Sequence, residues 1–135
     1  MQRLTDALDF QAQALVLRSE RQRLIASNIA NADTPGYVAR DMDFARALRE
    51  ATGQQQAVAA AATQPRHLAL AAGARAEPQM LYTHPAQDNL DGNSVDMDRE
   101  RAAFADNTVK YEATLRFINA QARTLLDAMK APNQA

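Results

Sequence analysis

Two stretches of this chain carry sustained hydrophobic periodicity, and they lie at its opposite ends. Met97, Arg101, Phe104, Thr108, Tyr111, Leu115, Ile118, Ala122, Leu125 and Met129 step in alternating fours and threes without a slip. That spacing keeps one stripe on one side of an α-helix and predicts a helix of about 35 residues, roughly 50 Å long. Asp96 suits its N-cap, and Asp98 and Glu100 place negative charge in its first turn, where the helix dipole favours it. Lys130 falls in the last turn, and Pro132 ends the helix. At the other end, Leu4, Leu8, Leu15, Ile25 and Ile29 form a similar stripe, with Gln11, Arg18 and Gln22 in its remaining places. A second stripe passes through Phe10, Leu17 and Leu24. The pattern predicts a helix from about Leu4 to Asn31, roughly 40 Å long, with apolar contact on more than one side.

Neither helix holds itself together, because burying one stripe does not offset the conformational entropy of ordering so many residues. Each needs a partner, and the other helix is the only one of comparable length. The expected fold is therefore mainly α: long N- and C-terminal helices paired as an antiparallel coiled-coil-like hairpin. Three segments follow: 1–34 as the N-terminal core helix, 35–92 as an irregular middle, and 93–135 as the C-terminal core helix. One pair leaves the first helix's second stripe uncovered, which argues for assembly with further subunits.

The middle carries weaker signals. Asp41 to Glu50 can form a short helix with Phe44 and Leu48 on one face. The Gln/Ala tract that follows is compatible with helix or with irregular chain. Gln79 to His84 reads as a short strand, and Asp91-Gly92-Asn93-Ser94 as a turn into the last helix.

Composition narrows the function. Of 135 residues, 30 are Ala, while Leu, Ile, Val and Phe together number only 25, so large core-forming side chains are scarce. The net charge is −1, which excludes a disordered polyelectrolyte and argues against nucleic-acid binding. No apolar run is long enough to span a bilayer, so no direct membrane insertion is expected. The N-terminus lacks the apolar region and cleavage site of a secretory signal. Zero cysteines remove disulfides, thiolate metal sites and a cysteine nucleophile.

No chemistry-bearing constellation emerges. The two histidines, His67 and His84, are too few for a zinc site without cysteine. Asp88 to Asn93 has an acidic-loop look, but Leu90 occupies a ligand place and the downstream spacing of a calcium loop fails. Asp96, Asp98 and Glu100 are explained by helix-start electrostatics. No glycine-rich phosphate loop or serine elbow occurs. The expectation is no catalytic residue, no cofactor and no metal.

The most distinctive stretch is Asn28-Ile29-Ala30-Asn31-Ala32-Asp33-Thr34-Pro35-Gly36-Tyr37. Pro35 sets φ for the second place of a turn and Gly36 supplies positive φ at the third, which suits a type II turn. Thr34, before a proline, cannot continue the helix. Asn28 and Asn31 are poor helix-interior residues, so their presence points to specific polar contacts. Asn28, Ala30, Asn31, Thr34, Pro35, Gly36 and Tyr37 match the Asn-x-Ala-Asn-x-x-Thr-Pro-Gly-Tyr signature, so the stretch resembles flagellar rod and hook proteins of bacteria. The lead-in Arg21 to Ser27, the following Ala39 to Phe44, and Asp91 to Glu100 are similar to the FlgB family of proximal rod proteins. Val38 departs from the basic residue often found after the tyrosine.

The resemblance implies paired terminal helices packed helically around a central export channel, as the proximal part of a drive shaft in the periplasmic basal body. It implies export by the flagellar type III apparatus without a cleaved signal. Implied partners are copies of the chain itself, other rod proteins, the rod–membrane-ring adaptor and the export gate. Candidate subunit-interface residues are the apolar positions Leu4, Leu8, Phe10, Leu15, Leu17, Leu24, Ile25, Ile29, Met97, Phe104, Tyr111, Leu115, Ile118, Leu125 and Met129. The helix-exit residues Asn28, Asn31, Thr34, Pro35, Gly36 and Tyr37 join them. The competing reading is a small soluble helical binding module, such as a chaperone or regulatory coiled coil.

Overall fold

The computed structural model describes residues 2–62, 80–82 and 90–130, with 54–62 given as helical backbone. The element order is α1 (Gln2–Ala30), β1 (Arg40–Met42), α2 (Phe44–Ala62), β2 (Met80–Tyr82) and α3 (Met97–Lys130). Helix α1 has 29 residues and α3 has 34, about 44 and 51 Å of helix. They run antiparallel along each other: Asn28 meets Glu100 at one end, and Gln22 meets Thr108 further along. The hairpin of terminal helices is therefore the architecture. Helix α1 also packs on α2 and β1, so it has apolar contact on more than one side, as its two stripes require.

The helix starts follow their caps. Asp96 Oδ1 accepts from the backbone N–H groups of Asp98 and Arg99 at 3.1 and 3.2 Å, which fixes the first turn of α3. Asp43 does the same for α2, accepting from Arg46 N–H at 3.1 Å. Pro132, the expected stop of α3, lies outside the described residues.

In the middle, the expected helix is shifted and the open choice for the Gln/Ala tract falls to helix as far as Ala62. Helix α2 begins at Phe44 rather than Asp41 and continues through the start of the Gln/Ala tract to Ala62. Residues 63 and 64 of that tract lie outside the described residues. Arg40 to Met42, expected in part as helix, instead form a strand, since Asp43 is the cap and everything before it must be non-helical. That strand pairs antiparallel with β2 in the register Arg40–Tyr82, Asp41–Leu81, Met42–Met80. The expected strand over Gln79 to His84 is thus present at Met80–Tyr82; Gln79, Thr83 and His84 lie outside the described residues.

The largest correction concerns which face of α3 points inward. The uninterrupted stripe from Met97 to Met129 does not form the seam with α1. The most buried positions of α3 are Glu100, Asn107 and Thr114, at 8%, 0% and 6% exposure, seven residues apart and all polar. On α1 the buried residues are Ala14, Leu17, Ile25 and Asn28. The stripe's Met97, Tyr111, Ile118 and Leu125 are half-buried flanks of the seam, while Phe104, Leu115 and Met129 are exposed. The helix is rotated because the middle of the seam is tied by polar contacts. Asn107 Nδ2 donates to Gln22 Oε1 at 2.7 Å and to the Arg18 carbonyl at 2.9 Å, and Gln22 Nε2 donates to Thr108 Oγ1 at 3.0 Å.

Candidate assembly surface and the clasp at the helix exit

Helix α1 unwinds after Ala30 through a short run of turns. Ala32 N–H bonds back to the Ile29 carbonyl at 3.2 Å, and Thr34 N–H to that of Asn31 at 3.1 Å. Tyr37 N–H then closes on the Thr34 carbonyl at 3.2 Å across Pro35 and Gly36. Gly36 has φ of 73°, so the Thr-Pro-Gly-Tyr segment has the bond and the positive φ of a type II turn.

Asn28 is 1% exposed, and its amide is fully used. Its Nδ2 donates to the Arg40 carbonyl at 2.7 Å and to Glu100 Oε1 at 3.2 Å. Its Oδ1 accepts from Arg40 N–H at 3.0 Å and from the Tyr37 hydroxyl at 3.1 Å. One side chain thus ties the end of α1, the strand β1, the turn tyrosine and the first turns of α3. That explains an Asn where helix propensity disfavours one. Asn31 acts locally: its Nδ2 donates to the Ser27 carbonyl at 2.8 Å and its Oδ1 accepts from Thr34 Oγ1 at 3.2 Å.

The second half of the junction comes from Asp91 to Val95. Asn93 is 2% exposed. Its Nδ2 lies 2.9, 2.9 and 2.8 Å from the carbonyl oxygens of Asn31, Ala32 and Thr34. These carbonyls belong to the turns that follow α1; those of Asn31 and Thr34 also accept backbone N–H groups, so Asn93 braces the exit of α1 from across the molecule. Its Oδ1 accepts from Val95 N–H at 2.8 Å. Gly36 N–H bonds to the Asp91 carbonyl, Ser94 N–H to the Tyr37 carbonyl, and Ala39 N–H to Ser94 Oγ, at 2.8, 3.0 and 2.7 Å. Gly92, with φ of 72°, lies against Gly36.

Two charged groups are shaped by this packing. Burial pushes the Glu100 carboxyl above the usual glutamate range, and the Asn28 hydrogen bond only partly opposes it. Arg18, further along the seam, is pulled down by burial and by Arg21. Its guanidinium sits 4.2 Å from the centroid of the Phe44 ring. Arg21 pairs with Asp41 at 3.2 Å, joining α1 to β1.

The expected interface residues divide three ways. Leu17, Ile25 and Asn28 are buried within the chain. Leu4, Leu8, Leu15, Leu24, Ile29, Asn31, Tyr37, Met97, Tyr111, Ile118 and Leu125 are half-buried. Phe10, Thr34, Pro35, Gly36, Phe104, Leu115 and Met129 face solvent. Sequence reasoning missed three further exposed residues on α3: Val109, Phe117 and Leu126, at 66%, 61% and 55% exposure. They lie off the continuous stripe, so periodicity did not select them. It also missed Asn93 and Glu100 as parts of the junction. The Asp-Gly-Asn-Ser run gave only a local signal for Asn93, whose Oδ1 serves the turn by accepting from Val95 N–H.

The comparisons with known proteins agree with the interlocked motifs. A family described as "Flagella basal body rod protein" matches residues 8–37. The flagellar basal body rod protein FlgB of Proteus mirabilis strain HI4320 is 44% identical over 96% of this chain and 98% of its own length. That of Salmonella typhimurium is 45% identical over 98% of this chain and 99% of its own. The Escherichia coli K12 protein is 41% identical over the same shares. This chain belongs to the FlgB family of flagellar basal body rod proteins. The similarity runs across both motifs of the junction and both long helices. A rod subunit is favoured over a small helical binding module.

Proposed function

We propose that this chain is a non-catalytic structural subunit of the bacterial flagellar rod, assembling with copies of itself and with other rod proteins. The observation that carries this reading is the inversion of α3. Its innermost positions are Glu100, Asn107 and Thr114, while Phe104, Val109, Leu115, Phe117, Leu126 and Met129 face outward. A helix that buries polar residues at its seam and leaves these six large apolar ones in water has surface for neighbours to cover. The relatives' names supply which neighbours: the components of a basal body rod.

In this reading the subunits surround the export channel in the periplasmic part of the shaft. They meet the rod–membrane-ring adaptor and the export gate at the proximal end. Torque and compression pass through many helix–helix contacts. The clasp between Asn28, Asn93 and Glu100 holds the two helices in one register, so that the outward rows of each copy line up. No step of this role requires a cofactor, metal or reacting group.

The test substitutes the displayed face. Val109→Asp places a carboxylate at an exposed position of α3, so the isolated chain keeps its helical circular dichroism. The expected result is loss of the chain from purified basal bodies and loss of swimming. Arg116→Ala on the same helix serves as the control with normal assembly. Full incorporation of a Val109→Asp, Leu126→Asp double variant would sink the reading.

A further inference from the structure

Helices α1 and α3 each carry a second row of positions, turned away from the seam they share. On α1 it is Asp9, Ala12, Val16, Ser19 and Arg23, stepping 3-4-3-4, and all five are exposed. On α3 it is Ala102, Asp106, Val109, Ala113 and Arg116, stepping 4-3-4-3, and these too are all exposed. Alternating threes and fours keep each row on one side of its helix, as in the seam of a coiled coil. Val16 and Val109, at 37% and 66% exposure, stand at the two centres.

The rows match each other in one sense and one register. Read backward, the α3 row has the steps of the α1 row, so the two interleave when the helices run antiparallel. With valine on valine, Ala12 then meets Ala113, Asp9 meets Arg116, and Arg23 falls one turn from Asp106. A slide of one heptad sets Val109 against Asp9 or against Arg23 instead. Parallel apposition of the valines sets Arg23 on Arg116. Asp9, Arg23 and Arg116 have no ion-pair partner among the described residues, while Asp106 holds Lys110 in an exposed pair at 2.8 Å. Within one copy the rows lie on opposite outer sides of the hairpin and cannot meet.

We propose that Val16 on α1 of one copy packs against Val109 on α3 of the next, with the stretches Asp9–Arg23 and Ala102–Arg116 antiparallel and Asp9 beside Arg116. The inference rests on the rod-subunit reading and adds which surface meets which. Copies that share one orientation along a shaft present α1 antiparallel to a neighbour's α3, because the two helices are antiparallel within each copy. The two rows are different parts of the molecule, so the contact is head-to-tail and repeats around the shaft.

The test uses the full chain, which contains no cysteine. Val16→Cys and Val109→Cys are introduced together; both helices stand between them within one copy, beyond disulfide reach. Cells are oxidised, basal bodies are purified, and the chain is separated without reductant. The expected result is a ladder of disulfide-linked species extending beyond dimers, absent from either single variant. Ala12→Cys with Ala113→Cys, one layer away, gives the same ladder. Asp9→Cys with Val109→Cys, one heptad or about 10 Å out of register, gives none. Arg116→Ala only removes an exposed pair and leaves assembly normal. Arg116→Glu sets like charges together and cuts the Val16–Val109 ladder about fivefold. Asp9→Arg added to it restores the ladder, while circular dichroism shows the Arg116→Glu chain folded.

Four results overturn the proposal. One is no ladder from either matched pair in basal bodies that contain it. Another is a ladder from Asp9→Cys with Val109→Cys in its place. The third is a ladder indifferent to both charge changes. The fourth is a bond from Val109→Cys to a different polypeptide with no self-ladder. Failure of the rod reading looks different: the unsubstituted chain itself is then missing from basal bodies.

Discussion

The side-chain amide nitrogen of Asn93 lies 2.8 Å from the carbonyl oxygen of Thr34, 59 positions earlier in the chain. That contact joins the exit of α1 to the approach of α3. With the neighbouring carbonyls of Asn31 and Ala32 it makes Asn93 the brace of the turns that follow α1. A local turn residue has become a long-range one, because the 91–95 segment covers the turn carbonyls after α1, of which that of Ala32 has the Asn93 amide as its donor.

Asn93→Ala leaves the Ala32 carbonyl without its donor, while those of Asn31 and Thr34 keep their backbone N–H partners, and is expected to cost about 1–3 kcal/mol, the range for a buried polar group losing its partner. Asn93→Asp keeps the shape but turns an acceptor toward three acceptors, so it should cost more than alanine. Urea denaturation followed by circular dichroism gives the order. Equal stability of the aspartate variant and the wild type would remove Asn93 from its bracing role.

The two facing glycines are a second check on the clasp. Gly36 and Gly92 have φ of 73° and 72°, the left-handed region that L side chains avoid. A Cβ at Gly36 meets nothing within 4 Å, and one at Gly92 makes only an ordinary 3.7 Å contact. The cost of Gly36→Ala or Gly92→Ala is therefore conformational, about 1 kcal/mol each. Asn at either site should cost less than Ala, since Asn tolerates this region better. The ranking Gly, then Asn, then Ala in melting temperature is the expected outcome.

The sequence announced the long helices because their signals are local and repeated. Asp96 caps α3 as its position suggests, and Thr34-Pro35-Gly36-Tyr37 turns as its residue types require. The orientation of α3 was not legible. Periodicity from Met97 to Met129 marks a row that some partner covers, but it does not say whether that partner is α1 or another molecule. The answer lay in polar residues at the same seven-residue spacing: Glu100, Asn107 and Thr114. Strand pairing of Arg40–Met42 with Met80–Tyr82 joins segments about forty positions apart, and three-residue strands carry almost no periodic signal. The junction was half legible: the Asn28 motif stood out, but Asn93 and Glu100 looked like a turn residue and a helix-start charge.

Glu100 makes stability depend on pH. Burial raises its folded-state pKa above the unfolded value, so the fold binds this proton more tightly than the unfolded chain does. Its contribution is fully present below the ordinary glutamate pKa and is lost as pH rises through the raised value. Glu100→Gln removes the ionisation and keeps an oxygen for the Asn28 amide. The variant should be more stable than wild type at neutral pH, with the difference shrinking as pH falls toward the ordinary glutamate range. Denaturation midpoints across pH 4 to 8 measure it; a variant less stable at neutral pH contradicts the buried-carboxylate account.

Asn107 separates stability from register. It is fully buried in the seam, its Nδ2 serves the Arg18 carbonyl and Gln22, and its Oδ1 has no partner among the described residues. An unpaired buried oxygen is a standing cost of about 1–3 kcal/mol. Asn107→Leu removes it and adds apolar contact, so the isolated chain should melt at a higher temperature. The same change deletes the polar tie that fixes how α3 is rotated on α1, as a buried asparagine fixes register in coiled coils. Once the tie is gone, the Met97–Met129 row can compete for the seam, and the outward display of Phe117 and Leu126 is lost. The expected pairing of results is a raised melting temperature with reduced incorporation into basal bodies. A variant both more stable and fully assembled would show that the polar seam does not set the orientation on which assembly depends.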